Sequence, residues 1–519
     1  MCKVVTENMQ TNILEYLEQT AKRFPEKVAF ADKDTALSFQ EFTDRAKKIG
    51  TYFAQKKCFR KPVIVYMKKS PDFLSAFFGV VYSGCFYIPI DDEMPRRRIE
   101  LILENAKAEY MICDAGTREA AENFEFSGTI VLYDECMQTN MEATLLREIR
   151  EKVLDIDPVC VFYTSGSTGV PKGVVGCHRG IIDYIDQLSE VLDFDETNVF
   201  ANQTPLYWDA SMKEIYATLK YGATTYLVPK ELFMFPVQLV EYLNENKINT
   251  VCWVVSALTM ISAFGTFDTI KPQYLKTVTF CGEVFPVKQF NIWKKELPEV
   301  EFFNLYGPTE TTGVSTYYHA DRLFEENESI PIGKAFKNTE IFLLDKEGKE
   351  VPEGATGEIC IRGSGVTLGY YGAMEKTEEV FVQNPQNPCY FDRIYRTGDM
   401  AFRDSEGNLV FASRRDHQIK HMGHRIELGE IEADVDCVEG VRGCCCVYVK
   451  EKEKIVLFYV GEMEKKELTT ELKERLPRYM LPNAIMKVDQ IPLTLNGKRD
   501  RIKMQQMYLE QASRGKRRR

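Results

Sequence analysis

The feature that most constrains the fold of this chain is a regular alternation of apolar runs with stretches of helical period. The apolar runs at 62–66 and 278–280 are typical of buried strands, whereas 11–24 and 71–81 repeat apolar residues at helical spacing. Strands that alternate with helices along a chain form parallel sheets covered by helices. The sequence therefore predicts an α/β fold with largely parallel strands.

A smaller domain is predicted near the C-terminus. The sequence there offers helical segments at 427–437 and about 466–476, and strand-like runs at 444–449 and 455–460. Such a set makes a compact α+β unit of ordinary domain size. The first of these strand-like runs begins with Cys444-Cys445-Cys446. We expect it to be a buried strand in which the small thiols pack as hydrophobic groups.

The length of the chain also requires more than one core, because 519 residues exceed the size of one ordinary domain. We place a large N-terminal domain at residues 1–415, a small C-terminal domain at 416–509 and a basic, solvated tail at 510–519.

Charge and hydropathy exclude several classes of protein. The chain has 66 Lys and Arg residues and 77 Asp and Glu residues, a net charge of −11, which argues against binding to nucleic acid. No apolar run is long enough to cross a bilayer, and the N-terminus lacks the order of a signal peptide, so no membrane insertion is expected. The cytoplasm is the expected location.

The strongest local signal is a loop rich in glycine and hydroxyl groups at 163–173, which follows the strand-like run 159–162. Glycines let backbone N–H groups turn toward an anion, hydroxyls donate to oxygens, and Lys172 supplies positive charge. The loop differs from the G-x-x-x-x-G-K-[ST] motif, in which the lysine directly follows the second glycine. It predicts a polyphosphate site; the alternative is an ordinary surface loop.

Four further segments contain chemically useful residues, each weak on its own. In 304–312 an aromatic residue beside a Gly-Pro turn could face a base, and Glu310 could hold a magnesium ion. Asp399 follows a glycine turn and could accept hydrogen bonds from ribose hydroxyls. The segment 416–432 contains a cluster of charged residues. The segment 492–500 contains a lysine in an Asn-Gly turn, and a lysine in such a turn is more often a solvated turn residue than a catalyst.

The order and spacing of all five motifs resemble those of the adenylate-forming superfamily of acyl-CoA synthetases, luciferases and nonribosomal-peptide adenylation domains. The segments 164–169, 306–310 and 424–427 look most like the amino-acid-activating branch. The resemblance implies a large N-terminal domain of layered sheets and helices and a small, mobile C-terminal domain. It also implies two half-reactions, in which a carboxylate attacks the α-phosphate of ATP and a phosphopantetheine thiol then attacks the adenylate.

The resemblance implies ATP and Mg²⁺ as cofactors and assigns a set of nucleotide contacts. The glycine-rich loop, from Thr164 to Lys172 and called the pyrophosphate loop below, would hold the departing pyrophosphate. Asn304 would meet the adenine amino group, and Tyr306 would stack on the adenine ring. Gly282 would line the other face of the ring, and Asp399 with Arg414 would hold the ribose. The full set is Thr164, Ser165, Gly166, Ser167, Thr168, Gly169, Lys172, Gly282, Glu283, Asn304, Tyr306, Asp399 and Arg414.

By the same resemblance, Glu310 is the metal ligand, and the catalytic residues are Thr309, Lys420 and Lys498. Thr309 would touch the α-phosphate, and Lys498 would bridge the substrate carboxylate, the α-phosphate and the ribose.

Movement of the small domain is implied as well. Asp416 matches the hinge about which that domain rotates. After rotation, Lys420 and Gly423 would line the tunnel for the thiol.

Asp209 is informative about the substrate, because relatives that take an α-amino acid have an aspartate there that pairs with the α-ammonium. The alternative is a helix-capping aspartate. Lys213 would either pair with a substrate carboxylate or turn toward a protein carboxylate beside a small neutral substrate such as alanine. The rest of the pocket implied by the resemblance is Ala210, Lys213, Ala257, Thr279, Cys281, Leu305, Gly313 and Val314.

The acceptor is expected in trans. No carrier-domain segment is recognised after Lys498 and no second catalytic domain before residue 10, so a separate phosphopantetheinylated carrier protein is the expected partner. Three alternatives remain: a D-alanine–carrier-protein ligase, which the chain also resembles; an acyl-CoA ligase, against which Asp209 speaks; and a non-catalytic nucleotide-binding protein.

Overall fold

The computed structural model describes residues 10–166, 170–414, 418–492 and 499–516, with side chains in the last segment described to residue 512. The chain forms two compact units. Unit 1 comprises Met1–Asp92, Ala106–Tyr163 and Gly173–Arg415, and unit 2 comprises Glu93–Asn105, Thr164–Lys172 and Asp416–Arg519. The predicted site residues that lie outside the described residues are Ser167, Thr168, Gly169, Asp416 and Lys498.

The α-helices are, in chain order, α1 Leu14–Arg23, α2 Phe39–Gln55, α3 Pro71–Tyr82, α4 Arg96–Ala106, α5 Arg118–Glu122, α6 Tyr133–Met137, α7 Ala143–Arg150, α8 His178–Leu192, α9 Met212–Tyr221, α10 Pro236–Glu245, α11 Val255–Ala263, α12 Val287–Glu296, α13 Met374–Val380, α14 Leu428–Asp436, α15 Lys465–Arg475 and α16 Arg501–Lys516.

The strands are β1 Val28–Ala31, β2 Ala36–Ser38, β3 Pro62–Met67, β4 Phe86–Asp91, β5 Tyr110–Cys113, β6 Thr129–Leu132, β7 Pro158–Thr164, β8 Lys172–Cys177, β9 Val199–Asn202, β10 Thr224–Leu227, β11 Thr250–Val254, β12 Thr277–Cys281, β13 Glu301–Tyr306, β14 Thr316–His319, β15 Lys334–Ala335, β16 Thr339–Leu344, β17 Gly357–Gly363, β18 Phe381–Gln383, β19 Arg393–Arg403, β20 Leu409–Arg414, β21 Gln418–His421, β22 His424–Glu427, β23 Val441–Val449, β24 Lys454–Gly461 and β25 Ala484–Lys487.

Two large sheets of unit 1 confirm the predicted α/β fold. One sheet has the strand order β6-β5-β3-β4-β7-β8, and the other has the order β15-β14-β13-β12-β11-β9-β10-β1-β2. The pairs β3–β4, β3–β5, β9–β10, β11–β12 and β12–β13 are all parallel. Helices lie between these strands along the chain, as the alternation of apolar runs predicts.

A third sheet of unit 1 departs from the prediction of largely parallel strands. Strands β16 to β20 form a five-stranded sheet in which every pair is antiparallel. The turn at 404–408 joins β19 directly to β20, and a connection this short can join only antiparallel neighbours.

The core of unit 1 is closed by an unusually close contact between α2 and α3. A Cβ atom added to Gly50 would lie 2.4 Å from the Tyr82 Cβ atom, and one added to Gly79 would lie 2.5 Å from the Ile49 Cβ atom. Glycine at both positions lets the two backbones approach, and the helices share one hydrophobic cluster with strands of both large sheets. Ser38 and Glu41 form a capping box that fixes the start of α2.

Unit 2 contains an α+β core made from β23 to β25 and the helices α14 and α15. Cys444 and Cys446 pack on one face of β23 with residues of α14 and α15, whereas Cys445 packs on the other face with Met504 of α16. All three thiols are fully buried, which confirms a buried strand. Helix α16 runs past residue 510, where the sequence predicted a tail, to Lys516, because the apolar side of its first turns packs against this sheet.

Among the residues that the structure describes, no helix is both long and apolar enough to span a bilayer.

We expect Gly79→Ala to lower the free energy of unfolding of unit 1 by about 1–3 kcal/mol, because the added methyl group overpacks the contact between α2 and α3. Urea denaturation followed by tryptophan fluorescence measures this, since Trp208, Trp253 and Trp293 all lie in unit 1. Gly443→Ala is the control, because a Cβ atom there meets nothing within 4 Å. Superimposable curves for wild type and Gly79→Ala would refute the close contact.

Candidate active site

The predicted substrate residues of unit 1 lie where neighbouring parallel strands end. Val254 at the end of β11 is level with Cys281 at the end of β12, and Cys281 is level with Leu305 in β13. The carboxyl ends of parallel strands meet at one edge of a sheet, and ligands of α/β proteins bind at such edges. The chain segments that follow these strands therefore share one edge of the nine-stranded sheet.

Asp209 lies close to the Thr309 side chain, whose hydroxyl favours the charged form of its carboxyl group. It begins a short 3₁₀ turn before α9, and its side chain caps no helix; the residue before α9 is Ser211. Burial raises the pKa of the Asp209 carboxyl group, whereas the Lys213 ammonium and the Thr309 hydroxyl oppose that rise. The structure thus gives no support to the alternative of a capping aspartate.

Lys213 is 1% exposed in the first turn of α9, and its Nζ atom lies 3.8 Å from the Cys281 Sγ atom. Burial favours a lower pKa for this ammonium, but Cys281, Tyr184 and Glu214 hold the pKa above its ordinary value. Within the described part of the chain, Lys213 forms no ion pair shorter than 4.0 Å. Because Glu214 still interacts electrostatically with Lys213, the alternative of a protein carboxylate as its partner stays open.

Gly313 has a φ of +95° and lies between Tyr184 and Asp209. A Cβ atom added to Gly313 would lie 3.7 Å from the Asp209 Oδ2 atom and 3.5 Å from the Tyr184 Oη atom. Tyr184 belongs to α8 and, together with Val314 and Phe336, also lines a second small cavity. The predicted pocket residues Asp209, Gly313 and Val314 thus lie together with a tyrosine that the sequence did not indicate.

The remaining predicted pocket residues occupy the same strand ends. Ala210 follows Asp209 directly, and Ala257 lies in the first turn of α11, which follows β11. Thr279 lies two residues before Cys281 in β12 and is fully buried.

The residues predicted to bind adenosine form a hydrogen-bonded set. The Tyr306 hydroxyl donates to Asp399 Oδ2 at 2.7 Å, and Arg414 donates to Asp399 Oδ1 at 2.8 Å. Asn304 donates through Nδ2 to the Pro331 carbonyl at 2.8 Å, which fixes the orientation of its amide. The Tyr306 ring is 5% exposed and packs in an apolar cluster, so its stacking on adenine stays a prediction.

Gly282 and Glu283 lie just past the end of β12. Gly282 has a φ of +89°, a conformation that favours glycine, and Glu283 accepts a hydrogen bond from the Ser256 backbone N–H at 3.2 Å. The glutamate therefore ties the turn after β12 to the start of α11.

Glu310 is fully buried, and its Oε1 atom accepts a hydrogen bond from the Tyr370 hydroxyl at 2.7 Å. A carboxylate oxygen is a ligand that Mg²⁺ prefers, and Mg²⁺ is commonly bound by one or two carboxylates together with substrate phosphates. The described residues contain no group of three or more potential metal ligands. A magnesium ion at Glu310 stays a prediction.

In unit 2, the described part of the pyrophosphate loop contacts helix α14 and the strand before it. The Gly166 backbone N–H donates to Glu430 Oε2 at 3.1 Å, and Ser165 donates to the Arg425 carbonyl at 2.8 Å. Arg98 forms an ion pair with Glu430 at 2.6 Å. Burial raises the pKa of Glu430 to about 7, although Arg98 and the Gly166 N–H oppose that rise.

The other predicted residues of unit 2 occupy defined positions. Thr164 ends β7, and Lys172 begins β8. Lys420 lies on β21, and Gly423 has a φ of +79° in the tight turn that joins β21 to β22.

Four residues of these regions were missed by the sequence reasoning: Tyr184, Glu214, Tyr370 and Glu430. Glu214 is fully buried next to Lys213, and burial raises its pKa to about 7. Two of the four lie beside residues that the sequence did indicate: Glu430 lies within the segment 416–432, and Glu214 directly follows Lys213. No local pattern marks Tyr184 or Tyr370, because each reaches its region only through tertiary packing.

Comparisons with known proteins identify the family. The AMP-binding enzyme family model matches residues 17–371, and the model of the AMP-binding enzyme C-terminal domain matches residues 430–498. The chain is 32% identical to zwittermicin A synthase ZmaJ of Bacillus cereus, over 95% of this chain and 94% of that protein. It is 31% identical to tyrocidine synthase 1 of Brevibacillus parabrevis, over 94% of this chain but only 44% of that protein.

Among solved structures, the fold resembles an artificially fused adenylation–PCP di-domain protein, NpsA-ThdA from Klebsiella oxytoca, with a TM-score of 0.78 and 20% identity over 91% of this chain and 93% of that one. The chain spans less than half of tyrocidine synthase 1 and 9% of bacitracin synthase 1 of Bacillus licheniformis. It belongs to the AMP-binding enzyme family, in the branch of nonribosomal-peptide-synthetase adenylation domains, and is an AMP-forming adenylating ligase of that type.

Proposed function

We propose that this chain uses ATP and Mg²⁺ to convert an α-amino acid into its adenylate and then transfers the aminoacyl group to the phosphopantetheine thiol of a separate carrier protein. Family membership supports the use of ATP. Similarity to 94% of the length of ZmaJ supports an adenylation unit that acts as its own chain. Two similar solved structures contain a PCP domain beside an adenylation domain, which supports a carrier as the acceptor. The cytoplasm is the proposed location.

The observation that carries the amino-acid assignment is the Asp209 carboxylate, whose Oδ2 atom lies 3.7 Å from the place of a Cβ atom on Gly313, at the strand ends where the predicted pocket residues meet. Among the described residues, Asp209 forms no ion pair within 4.0 Å, and burial disfavours its charged form. An α-ammonium group bound there would supply the missing positive charge through a charge-assisted hydrogen bond. A simple acid without an amino group would leave the carboxylate uncompensated.

Lys213 supports an acidic side chain as the substrate class. Its buried ammonium and the Asp209 carboxylate belong to one pocket but form no ion pair with each other within 4.0 Å. An amino acid with a side-chain carboxylate would compensate both groups at once, with its α-ammonium on Asp209 and its side chain on Lys213. A small neutral amino acid is the second candidate, because Glu214 already moderates the charge of Lys213.

The proposed catalytic steps use both units. Glu310 would hold Mg²⁺, which would supply positive charge for the phosphates of bound ATP, and the substrate carboxylate would attack the α-phosphorus of that ATP. In unit 1, Thr309 is proposed to touch the α-phosphate, while Asp399 with Arg414 holds the ribose. Lys498 is proposed to join the reacting groups. Lys420 and Gly423, with a hinge at Asp416, are proposed to serve the thiol step.

Amino-acid-dependent exchange of labelled pyrophosphate into ATP tests this function. We expect exchange with one acidic α-amino acid in a panel of common L-amino acids, D-alanine, β-alanine and simple acids. Lys498→Ala should abolish that exchange and so show that the signal arises from this protein. Exchange with a simple acid only would place the protein among acyl ligases, and a response to D-alanine alone would identify a D-alanine ligase.

Asp209→Ala should lower kcat/KM for the accepted amino acid by on the order of 100-fold or more, because it removes the partner of the α-ammonium. Adenylate formation measured as pyrophosphate release provides the rates. The desamino analogue of the same amino acid is the internal control, because it cannot make this contact and should lose much less. Equal losses for both compounds would show that Asp209 does not bind the ammonium.

Lys213→Gln should lower kcat/KM for the acidic amino acid by roughly 10- to 100-fold and improve the relative use of its amide, because it removes the positive charge. The pyrophosphate-exchange profile measures the change. Lys220→Gln is the matched control on the same helix, since Lys220 pairs with Asp186 and lies outside the pocket. A profile unaltered by Lys213→Gln would remove Lys213 from substrate selection.

A further inference from the structure

The Tyr184 hydroxyl is a buried polar group that the proposed chemistry has not yet used. The residue is 4% exposed in α8, and its Oη atom has no hydrogen-bond partner among the described residues. Buried hydroxyl groups in proteins nearly always have a partner, because an unpaired one loses its bonds to water without replacement. The position of this hydroxyl therefore calls for an acceptor or donor that the described chain does not supply.

The side of Gly313 that Asp209 faces is the place where this hydroxyl meets the predicted substrate pocket. A Cβ atom placed on Gly313 would lie 3.5 Å from the Tyr184 Oη atom and 3.7 Å from the Asp209 Oδ2 atom, so both atoms face the same point. Only a glycine leaves that point empty, and its φ of +95° disfavours any other residue. The hydroxyl thus borders the volume that the Asp209 carboxylate also borders.

The charges around Tyr184 define the kind of partner. Burial raises the pKa of the phenol, the Lys213 ammonium opposes that rise, and Asp209 reinforces it. The phenol is therefore a neutral O–H donor near neutral pH. With Asp209 proposed for the α-ammonium, the oxygen acceptor that the O–H group needs is best supplied by the side chain of the bound amino acid.

We propose that Tyr184 is a specificity-determining residue whose hydroxyl donates a hydrogen bond to a side-chain oxygen of the bound amino acid, alongside the Lys213 ammonium. This inference rests on the proposed function and adds a second, uncharged contact to it. A side chain with a carboxylate has two oxygens and so accommodates both donors at once. An apolar side chain of equal length would leave the hydroxyl unpaired, and the pocket would reject it.

Tyr184→Phe removes the hydroxyl and leaves the ring in place. We expect kcat/KM for the accepted acidic amino acid to fall by about 10- to 100-fold, chiefly through a higher KM, because the lost bond is made to a charged group. The preference over the apolar amino acid of the same length should fall by at least about 10-fold. For glutamate the apolar counterpart is norvaline, and for aspartate it is 2-aminobutyrate.

Tyr82→Phe is the matched control. Tyr82 is equally buried at 4%, but it ends α3 and packs against Gly50 of α2. Removal of the Tyr82 hydroxyl should leave unchanged both KM and the preference for the acidic over the apolar amino acid. Thermal unfolding of both variants checks that each retains the native fold.

The outcomes separate the two proposals. An active wild type whose Tyr184→Phe variant keeps the same KM and the same preference overturns the Tyr184 contact and leaves the amino-acid function standing. A Tyr184→Phe variant with lower kcat, unchanged KM and unchanged preference overturns it as well, because a contact with the side chain must alter selection. A wild type that shows no exchange with any amino acid overturns both.

Discussion

The site in unit 1 depends on the register of three parallel strands. Because Val254, Cys281 and Leu305 are level across β11, β12 and β13, the chain leaves the sheet at one edge three times in succession. Each of the three chain segments that follow these strands contains different residues of the predicted site: Ala257 after β11, Gly282 after β12, and Thr309 with Glu310 after β13. A slip of one residue in any strand would turn its side chains to the opposite face of the sheet. The hydrogen-bonding register of the strands therefore determines which side chains reach the site.

Within this frame, the pocket holds two opposite charges apart. Asp209 and Lys213 are four residues apart at the start of α9, a spacing that brings side chains to one side of a helical turn. Their side chains nevertheless form no ion pair within 4.0 Å among the described residues. The carboxylate lies close to Thr309, and the ammonium lies by Cys281. Burying both charges without a direct pair costs stability. A pocket that retains them is complementary to a ligand that has charges of both signs.

The sequence predicted the architecture well because its periodicity is local. The helix expected over 71–81 is α3 at Pro71–Tyr82, and the run at 444–449 lies within β23. The α/β class follows from such segments alone. Of the antiparallel sheet β16–β20, the sequence indicated only the strands and turn near residues 390–415, which are β19 and β20; the strands β16 to β18 were not predicted.

The site was predictable only in part, for a different reason. Motif residues such as Asp399 and Arg414 could be named because a fixed order of motifs accompanies them, and the structure brings these two together. Tyr184 and Tyr370 could not, because their roles arise from where α8 and the segment before α13 pack in three dimensions. A contact of this kind leaves no trace in local spacing.

The described part of the pyrophosphate loop shows which chemistry its backbone selects. A Cβ atom on Gly166 would lie 2.1 Å from the Val170 carbonyl oxygen, so only glycine permits this turn. The same turn presents the Gly166 N–H to a carboxylate oxygen of Glu430, which Arg98 also contacts. An N–H group and a guanidinium that converge on one anionic group form the arrangement that binds phosphate oxygens elsewhere in proteins. In this structure the anionic group is Glu430, and the binding of pyrophosphate by this loop stays a prediction.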